Sequence, residues 1–226
     1  MNDELRRSAA HVFVADMLNP VLDDDDSHHL ARVLRLRPGQ KVSVSDGNGA
    51  WRICEWRDEE LVTVGDIATE RRRGDVLSVA LSPVKGDRTD WAIEKLVEVG
   101  IDRIIVLAPV ERSVVKWDDR KSGANIDRYR RIVRAAASQS RRVFLPMVEG
   151  PTPLSVVLSG GGVAVAEPGG ATDLAGITTV VVGPEGGFTA DEVASAPATV
   201  DLGATILRAD TAAVVAGTLM VAHSRR

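Results

Sequence analysis

Cysteine is nearly missing from this chain of 226 residues: Cys54 stands alone, which excludes an internal disulfide and any cysteine-cluster metal site. The histidines, at 11, 28, 29 and 223, show no metal-ligand spacing beyond one adjacent pair, so no metal is expected in the chemistry. No apolar run approaches the roughly 18 residues of a membrane span. Met1-Asn2-Asp3-Glu4-Leu5-Arg6-Arg7 lacks the basic-then-apolar order of a secretory signal. A reducing, cytoplasmic setting with no membrane partner is the expectation. Common catalytic formats are missing too. There is no Gly-x-Ser-x-Gly elbow, and His223 is the only histidine of the C-terminal half, which counts against a Ser-His-Asp hydrolase. Where a dinucleotide or phosphate loop would follow the first α/β strand, the chain reads Ser82-Pro83-Val84-Lys85-Gly86-Asp87, which is neither.

What is present is a soluble, globular composition, 44% hydrophobic and 27% charged, enough for a sizeable core. The net charge of −4 does not advertise a nucleic-acid partner. The signs are segregated, however. Asp23 to Asp26 form an acidic block, while Arg6-Arg7, Arg32/Arg35/Arg37, Arg71-Arg72-Arg73, Arg128/Arg130/Arg131/Arg134 and Arg141-Arg142 form basic ones. Arginine's planar fork suits phosphate, so these blocks are compatible with RNA without demanding it.

In chain order, residues 11–14 predict a strand, and Asp25-Asp26-Ser27 supplies N-cap residues for a short helix through Leu36 with Leu30, Val33 and Leu34 as its core stripe. Strands are expected at 41–45, 51–57 and 61–69, joined by Asp-Gly and Asn-Gly turns, with Trp51 and Trp56 packing inside. Close-set short strands indicate a small β-barrel, and the polar stretch 70–75 reads as a linker, giving domains 1–74 and 75–226. The second is an alternation of strands (76–81, 103–107, 146–148, 163–166, 179–182) and helices (86–99, 126–139, 153–158, 190–194, 211–223). That rhythm means a parallel sheet with crossovers.

The most informative stretch is 180–213. Val180-Val181-Val182 predicts a buried strand, Gly183-Pro184-Glu185-Gly186-Gly187 interrupts it, and Thr189 to Glu192 matches a capping box. Gly186 and Gly187 are expected to turn through positive φ and admit a ligand close to the backbone. A second glycine-bearing loop, Leu202-Gly203 to Arg208, leads into the closing helix. The two loops predict a pocket for a small, flat, partly apolar ligand.

Gly183-Pro184-Glu185-Gly186-Gly187-Phe188, followed by Leu202-Gly203 and Ile206-Leu207-Arg208-Ala209-Asp210-Thr211-Ala212, resembles the C-terminal signature of the ribosomal RNA small subunit methyltransferase E family. His29-Leu30-x-x-Val33-Leu34-Arg35 and Asp46-Gly47-x-Gly49 resemble its PUA-like barrel. Lys85-Gly86-Asp87, the Glu94 to Gly100 run, the Glu111 to Lys116 run and Gln139-Ser140-x-Arg142 resemble its α/β half. The resemblance implies an α/β SPOUT-type domain with a C-terminal trefoil knot, preceded by a small PUA-like β-barrel. It implies S-adenosylmethionine-dependent methylation of N3 of a uridine in small-subunit (16S) ribosomal RNA, on free RNA or the assembled 30S subunit, by a homodimer.

Carried onto this chain, the resemblance assigns the cofactor to Glu167, Gly183, Pro184, Glu185, Gly186, Gly187, Leu202, Gly203, Ile206, Leu207, Thr211 and Ala212, with 163–167 as the knot strand beneath. Arg208 is expected to stabilise charge on the base, helped by Arg142 or Arg112; Glu185 is read either as a base or as a loop anchor. Arg32, Arg35, Arg37, Arg112 and Arg142 are the expected RNA contacts. Glu94 and Glu98 read as a solvated helix face. Three departures stand out: Asp210 where the family has glutamate, Ser138 where it has glutamate, and His11 where it has an arginine. Alternatives are a methyltransferase of the same class acting at another RNA position, and a catalytically silent RNA-binding assembly factor.

Overall fold

The computed structural model describes residues 2–72 and 74–225; Met1, and Arg73 of the basic run, lie outside them. The chain divides into two compact units, Met1–Arg73 with Ala137–Leu145, and Gly74–Ala136 with Pro146–Arg226.

The first unit opens with a helical turn, α1 (Asp3–Arg7), and then β1 (Ala10–Phe13). A mixed sheet comes next: β1 runs parallel to β2 (Lys41–Ser45), which pairs antiparallel with β3 (Ala50–Arg57). The far side of β3 is shared by β4 (Glu60–Thr63) and β5 (Ala68–Thr69), so the described pairings form an open path. The single strand expected over 61–69 is thus two. It breaks where the N–H groups of Val64 and Gly65 both donate to the Ile53 carbonyl.

Between β1 and β2 the acidic block forms α2 (Asp24–His28), capped by Asp23 rather than by the residues expected, its carboxylate accepting from the Asp26 N–H at 2.7 Å. The helix then widens into one π-turn over His29–Val33, where the Leu34 N–H reaches back to the His29 carbonyl. That extra residue rotates the succeeding side chains about the helix axis. Leu30 is fully buried, but Val33 and Leu34, expected in the core, are 60% and 43% exposed.

Residues 137–145 were expected with the second domain, yet they complete the first unit's interior. Val143 packs with Leu5, Trp51 and Ile53, and its carbonyl accepts the Ser45 hydroxyl at 2.8 Å. Leu145 N–H donates to Gly47 C=O at 2.9 Å. His11 joins this strap from β1: Nε2 lies 3.0 Å from the Arg142 carbonyl and Nδ1 2.8 Å from the Ser43 hydroxyl. Because a carbonyl only accepts, Nε2 carries the proton and Nδ1 accepts from Ser43.

The second unit is a six-stranded, all-parallel sheet in the order β11-β9-β10-β6-β7-β8. Its strands are β6 (Ser78–Leu81), β7 (Arg103–Leu107), β8 (Met147–Thr152), β9 (Val163–Ala171), β10 (Thr179–Val182) and β11 (Thr199–Val200). All four residues of the central β6 and β10 are buried, as a sheet covered on both faces requires. The helices are α3 (Arg88–Val99), α4 (Asp119–Gln139), α5 (Leu154–Leu158), α6 (Ala190–Ala194) and α7 (Ala209–Ser224). α3 turns Ala92, Ile93, Leu96 and Val97 inward and ends at Gly100, φ +115. α4 starts seven residues before its expected first residue, 126, and α7 packs on α3, β6 and β10. Among the described residues, no helix is long and apolar enough to cross a membrane.

Burial pushes the His11 imidazole down to about 4 from an ordinary 6.5, opposed by its bond to Arg142 and assisted by the Arg141 charge. The folded state therefore refuses a proton that the unfolded chain accepts. Stability is complete above pH 6.5 and falls progressively as pH drops towards 4, by about 3 kcal/mol. Urea midpoints of wild type and His11→Gln between pH 7 and 4 check this: the variant should lose most of the slope, and equal slopes would disprove the assignment.

Candidate functional site

The carboxyl ends of a parallel sheet are where loops can close around a ligand, because every strand delivers its chain there. In the second unit, three neighbouring strands do so around one cavity of about 560 Å³. β9 contributes Ala166, Glu167 and Pro168, β10 contributes Val182 and the loop Gly183 to Phe188, and the segment after β11 contributes Asp201 to Arg208 except Ala204. α7 closes it with Ala209 and Ala212, and Arg112 reaches in from the loop after β7. The volume suits an adenosine-sized ligand.

The glycine loop is held locally and from outside. Gly187 N–H donates to Pro184 C=O at 2.8 Å, making a turn with Glu185 and Gly186 at its corner. Gly187 takes φ +68 as expected, whereas Gly186 does not adopt a positive φ. Gly186 instead faces Arg112, whose Cβ stands 3.2 Å from where an alanine methyl would be. Arg112 Nη1 donates to the carbonyls of Gly186 and Phe188, at 3.2 and 3.0 Å. The guanidinium expected to meet RNA is thus engaged by the loop. Downstream, the capping box forms as the sequence predicts: Thr189 Oγ1 accepts from Glu192 N–H, and Glu192 Oε2 accepts from Thr189 N–H. The other oxygen of Glu192 accepts the Glu111 N–H at 3.2 Å, so one carboxylate orients both loops.

The opposite wall begins at Asp201. Its Oδ2 accepts Gly169 N–H and its Oδ1 accepts Gly203 N–H, each at 2.9 Å. These two N–H groups hold its carboxyl below the usual carboxylate range. Beyond it, Ile206 is 83% exposed at the cavity's mouth. Arg208, also exposed, is the N-cap of α7, with extended backbone and no side-chain cap. Asp210 lies inside the first turn, where its charge favours the positive end of the helix dipole. The first bond of that helix runs from Ala212 N–H to Arg208 C=O, so the N–H groups before it have no intrahelical partner, and Ala209 and Ala212 of that turn line the cavity.

Of the residues the resemblance assigned to the cofactor, all but Thr211 line this cavity, and Glu185, Arg208 and Arg112 line it too. Arg142 does not; it belongs to the strap of the first unit, where its carbonyl accepts from His11. Arg32, Arg35 and Arg37 are exposed in the first unit; Arg32 lies 3.8 Å from Glu59, and Arg35 takes φ +51 just after the π-turn. Glu94 and Glu98 both pair with Lys95 at 2.8 Å, on their own helix. Among the described residues, no group of three or more metal-binding side chains gathers. Sequence reasoning missed Asp201 and Pro168, which lie just outside the strand and the loops it had named. The Asp-x-Gly spacing of Asp201 and Gly203, an Asx-turn signal, was the available clue for the first.

A family model described as an RNA methyltransferase domain matches residues 72–221, and one described as an RNA methyltransferase PUA domain matches residues 22–61. The chain is 35% identical to the ribosomal RNA small subunit methyltransferase E of Mycobacterium bovis, over 91% of this chain and 87% of that protein. A probable rRNA-methyltransferase from Porphyromonas gingivalis has the same fold, with TM-score 0.78 and 25% identity over 96% of this chain and 98% of its own. The fold is also that of the ribosomal RNA small subunit methyltransferase E from Neisseria gonorrhoeae bound to S-adenosyl methionine, with TM-score 0.76 and 24% identity over 93% and 96% of the two chains.

The loop's packing yields one direct test. A methyl group on Gly183 would stand 3.0 Å from two ring carbons of Phe188, which is 6% exposed in the core. Gly183→Ala should cost about 2 kcal/mol by overpacking, read from chemical denaturation. An unchanged midpoint would show that Phe188 has room to move.

Proposed function

This chain belongs to the ribosomal RNA small subunit methyltransferase E family, and from that premise we propose that it transfers the methyl group of S-adenosylmethionine to N3 of a uridine in 16S ribosomal RNA. The observation that carries the proposal is the cavity at the ends of β9, β10 and β11. Its residues fit the methyl donor's chemistry. Ile206, Leu207, Pro184 and Phe188 offer apolar faces to a flat base, and the loops 183–188 and 201–208 offer backbone N–H and C=O groups to its edge. The uncapped N-terminus of α7 suits the carboxylate of the amino-acid part. When bound, S-adenosylmethionine supplies an electrophilic methyl carbon on a positively charged sulfur.

Uridine N3 bears a proton and attacks poorly while it does. Loss of that proton to solvent leaves negative charge delocalised over N3 and the two flanking carbonyl oxygens. The charge is consumed as the N3–C bond forms and the C–S bond breaks, leaving a neutral methylated base and a neutral thioether. Arg208, exposed at the mouth beside the start of α7, is assigned to stabilise that charge. Glu185, at the corner of the glycine turn and lining the cavity, is assigned to anchor that turn, with the role of proton acceptor as the alternative.

The two units take separate roles. The first is taken as the PUA-like barrel that docks small-subunit RNA, free or within the 30S particle, through Arg32, Arg35 and Arg37 around the exposed Val33 and Leu34. Phosphate contacts of this kind make binding salt-sensitive. The second is taken as a trefoil-knotted SPOUT domain of a cytoplasmic homodimer. Supporting the knot, β11 lies at the sheet edge, whereas α7, the next long helix in the chain, packs on the central β6 and β10. Supporting the dimer, α7 is apolar on its outer face as well, where Val214 and Val215 are half-buried and Leu219 is 39% exposed.

Isothermal titration should show S-adenosylmethionine binding to the purified protein; no binding would overturn the enzyme reading. Nucleoside mass spectrometry of ribosomal RNA from a deletion strain should lack 3-methyluridine, and an unchanged profile would move the substrate to another RNA position. Arg208→Ala should lower turnover about a hundredfold while S-adenosylmethionine affinity holds. The reverse pattern would make Arg208 a binding residue.

A further inference from the structure

Two successive residues of β11, Thr199 and Val200, pair with Val165 and Ala171 of β9, so residues 166–170 loop out of the ladder between them. That excursion is the cavity wall that carries Glu167 and Pro168. It returns to the sheet only because Gly170 permits it: a methyl group there would meet the backbone of Thr199 and Val200 at 2.8 Å. An excursion of this length has no ladder bonds of its own to fix its shape.

Asp201 supplies them. Its N–H donates to the Ala171 carbonyl at 2.8 Å, closing the base of the excursion. Its Oδ2 takes the Gly169 N–H at the far end of the same loop. Its Oδ1 takes the Gly203 N–H at the start of the facing loop, which continues to Arg208. One short side chain therefore ties two walls of one cavity, and both bonds go to an ionised carboxylate, the stronger kind.

We propose that Asp201 is a positioning residue for the methyl donor: its carboxylate clasps the excursion at 166–170 to the loop at 201–208, so that the cavity is assembled before the ligand arrives. The ligand then does not have to order two loops, a cost that otherwise lowers its affinity. The assignment rests on the S-adenosylmethionine reading of the cavity, and it concerns the walls rather than the reacting atoms.

Titration and steady-state kinetics of wild type, Asp201→Ala and Asp201→Asn test it. Asp201→Ala should raise both Kd and KM for S-adenosylmethionine about tenfold, with kcat at saturation and KM for RNA nearly unchanged. Asp201→Asn keeps one accepting oxygen and should fall between. In the proteins without ligand, amide exchange at Gly169 and Gly203 should quicken about tenfold in Asp201→Ala, while β10 amides keep their protection. Equal affinity in wild type and Asp201→Ala would overturn the clasp. So would a fall in kcat and thermal midpoint with KM unmoved, which is the pattern of a merely structural residue. Failure of wild type itself to bind S-adenosylmethionine would overturn the reading of the cavity, and wild-type exchange at the two glycines would still report whether the clasp exists.

Discussion

The site depends on one constraint of chain path. β11 is an edge strand beside β9, but the chain beyond it must reach the middle of the sheet, where α7 packs on β6, β10 and α3. Residues 201–208 are the only chain available for that crossing, and they have to pass the carboxyl ends of β9 and β10. With the glycine loop rising from β10 and the excursion rising from β9, the crossing segment becomes the third wall of an enclosure. The cavity is thus a consequence of where α7 is buried. Ala212, Ala213, Ala216 and Gly217 on its inner face allow the close approach that holds it there.

The walls are built largely from backbone, and that decides how they are stabilised. Loops rich in glycine lose more conformational entropy on ordering than other loops do. Charged side chains offset that cost by bonding to main-chain groups: Arg112 to the carbonyls of Gly186 and Phe188, Glu192 to the N–H groups of Thr189 and Glu111, Asp201 to those of Gly169 and Gly203. Each charged residue faces the group of matching polarity, cation to C=O and anion to N–H. Such bonds fix the walls so that main-chain groups and the apolar side chains of Pro184, Phe188, Ile206 and Leu207 line the cavity beside its charged residues, a combination that suits a flat heterocycle with hydrogen-bonding edges.

Local signals explain what could be read from the sequence. The β10 run, the glycine loop and the capping box lie within thirteen residues, 180–192, and each is specified by its neighbours, so the expected site and the observed cavity coincide there. Elements set by distant partners were not legible. The π-turn at 29–33 differs from an α-helix by one residue of hydrogen-bond reach, and no composition signal marks that shift; it was enough to move Val33 and Leu34 from core to surface. β11 has two residues and exists only through its pairing with β9. The strap 137–145 continues from a helix of the second unit in sequence, and only the bonds of Arg142, Val143 and Leu145 to residues more than ninety positions earlier reveal where it belongs.

The three departures from the family pattern divide by the same logic. His11 occupies a buried position whose requirement is a donor for one carbonyl and an acceptor for one hydroxyl, and a neutral imidazole meets both without a charge. Asp210 sits in the first turn of α7 and keeps the negative charge that the helix start favours, so the missing methylene changes reach rather than sign. Ser138 is different. It lies half-buried near the end of α4, and its carbonyl, not its hydroxyl, makes the bond to Arg141. A carboxylate at that position would stand beside Arg141, whose charge burial already disfavours, and would stabilise it. Its absence leaves Arg141 to be satisfied by the carbonyls of Ser138, Gln139 and Ser8. The substitution therefore touches the internal order of the strap in the first unit.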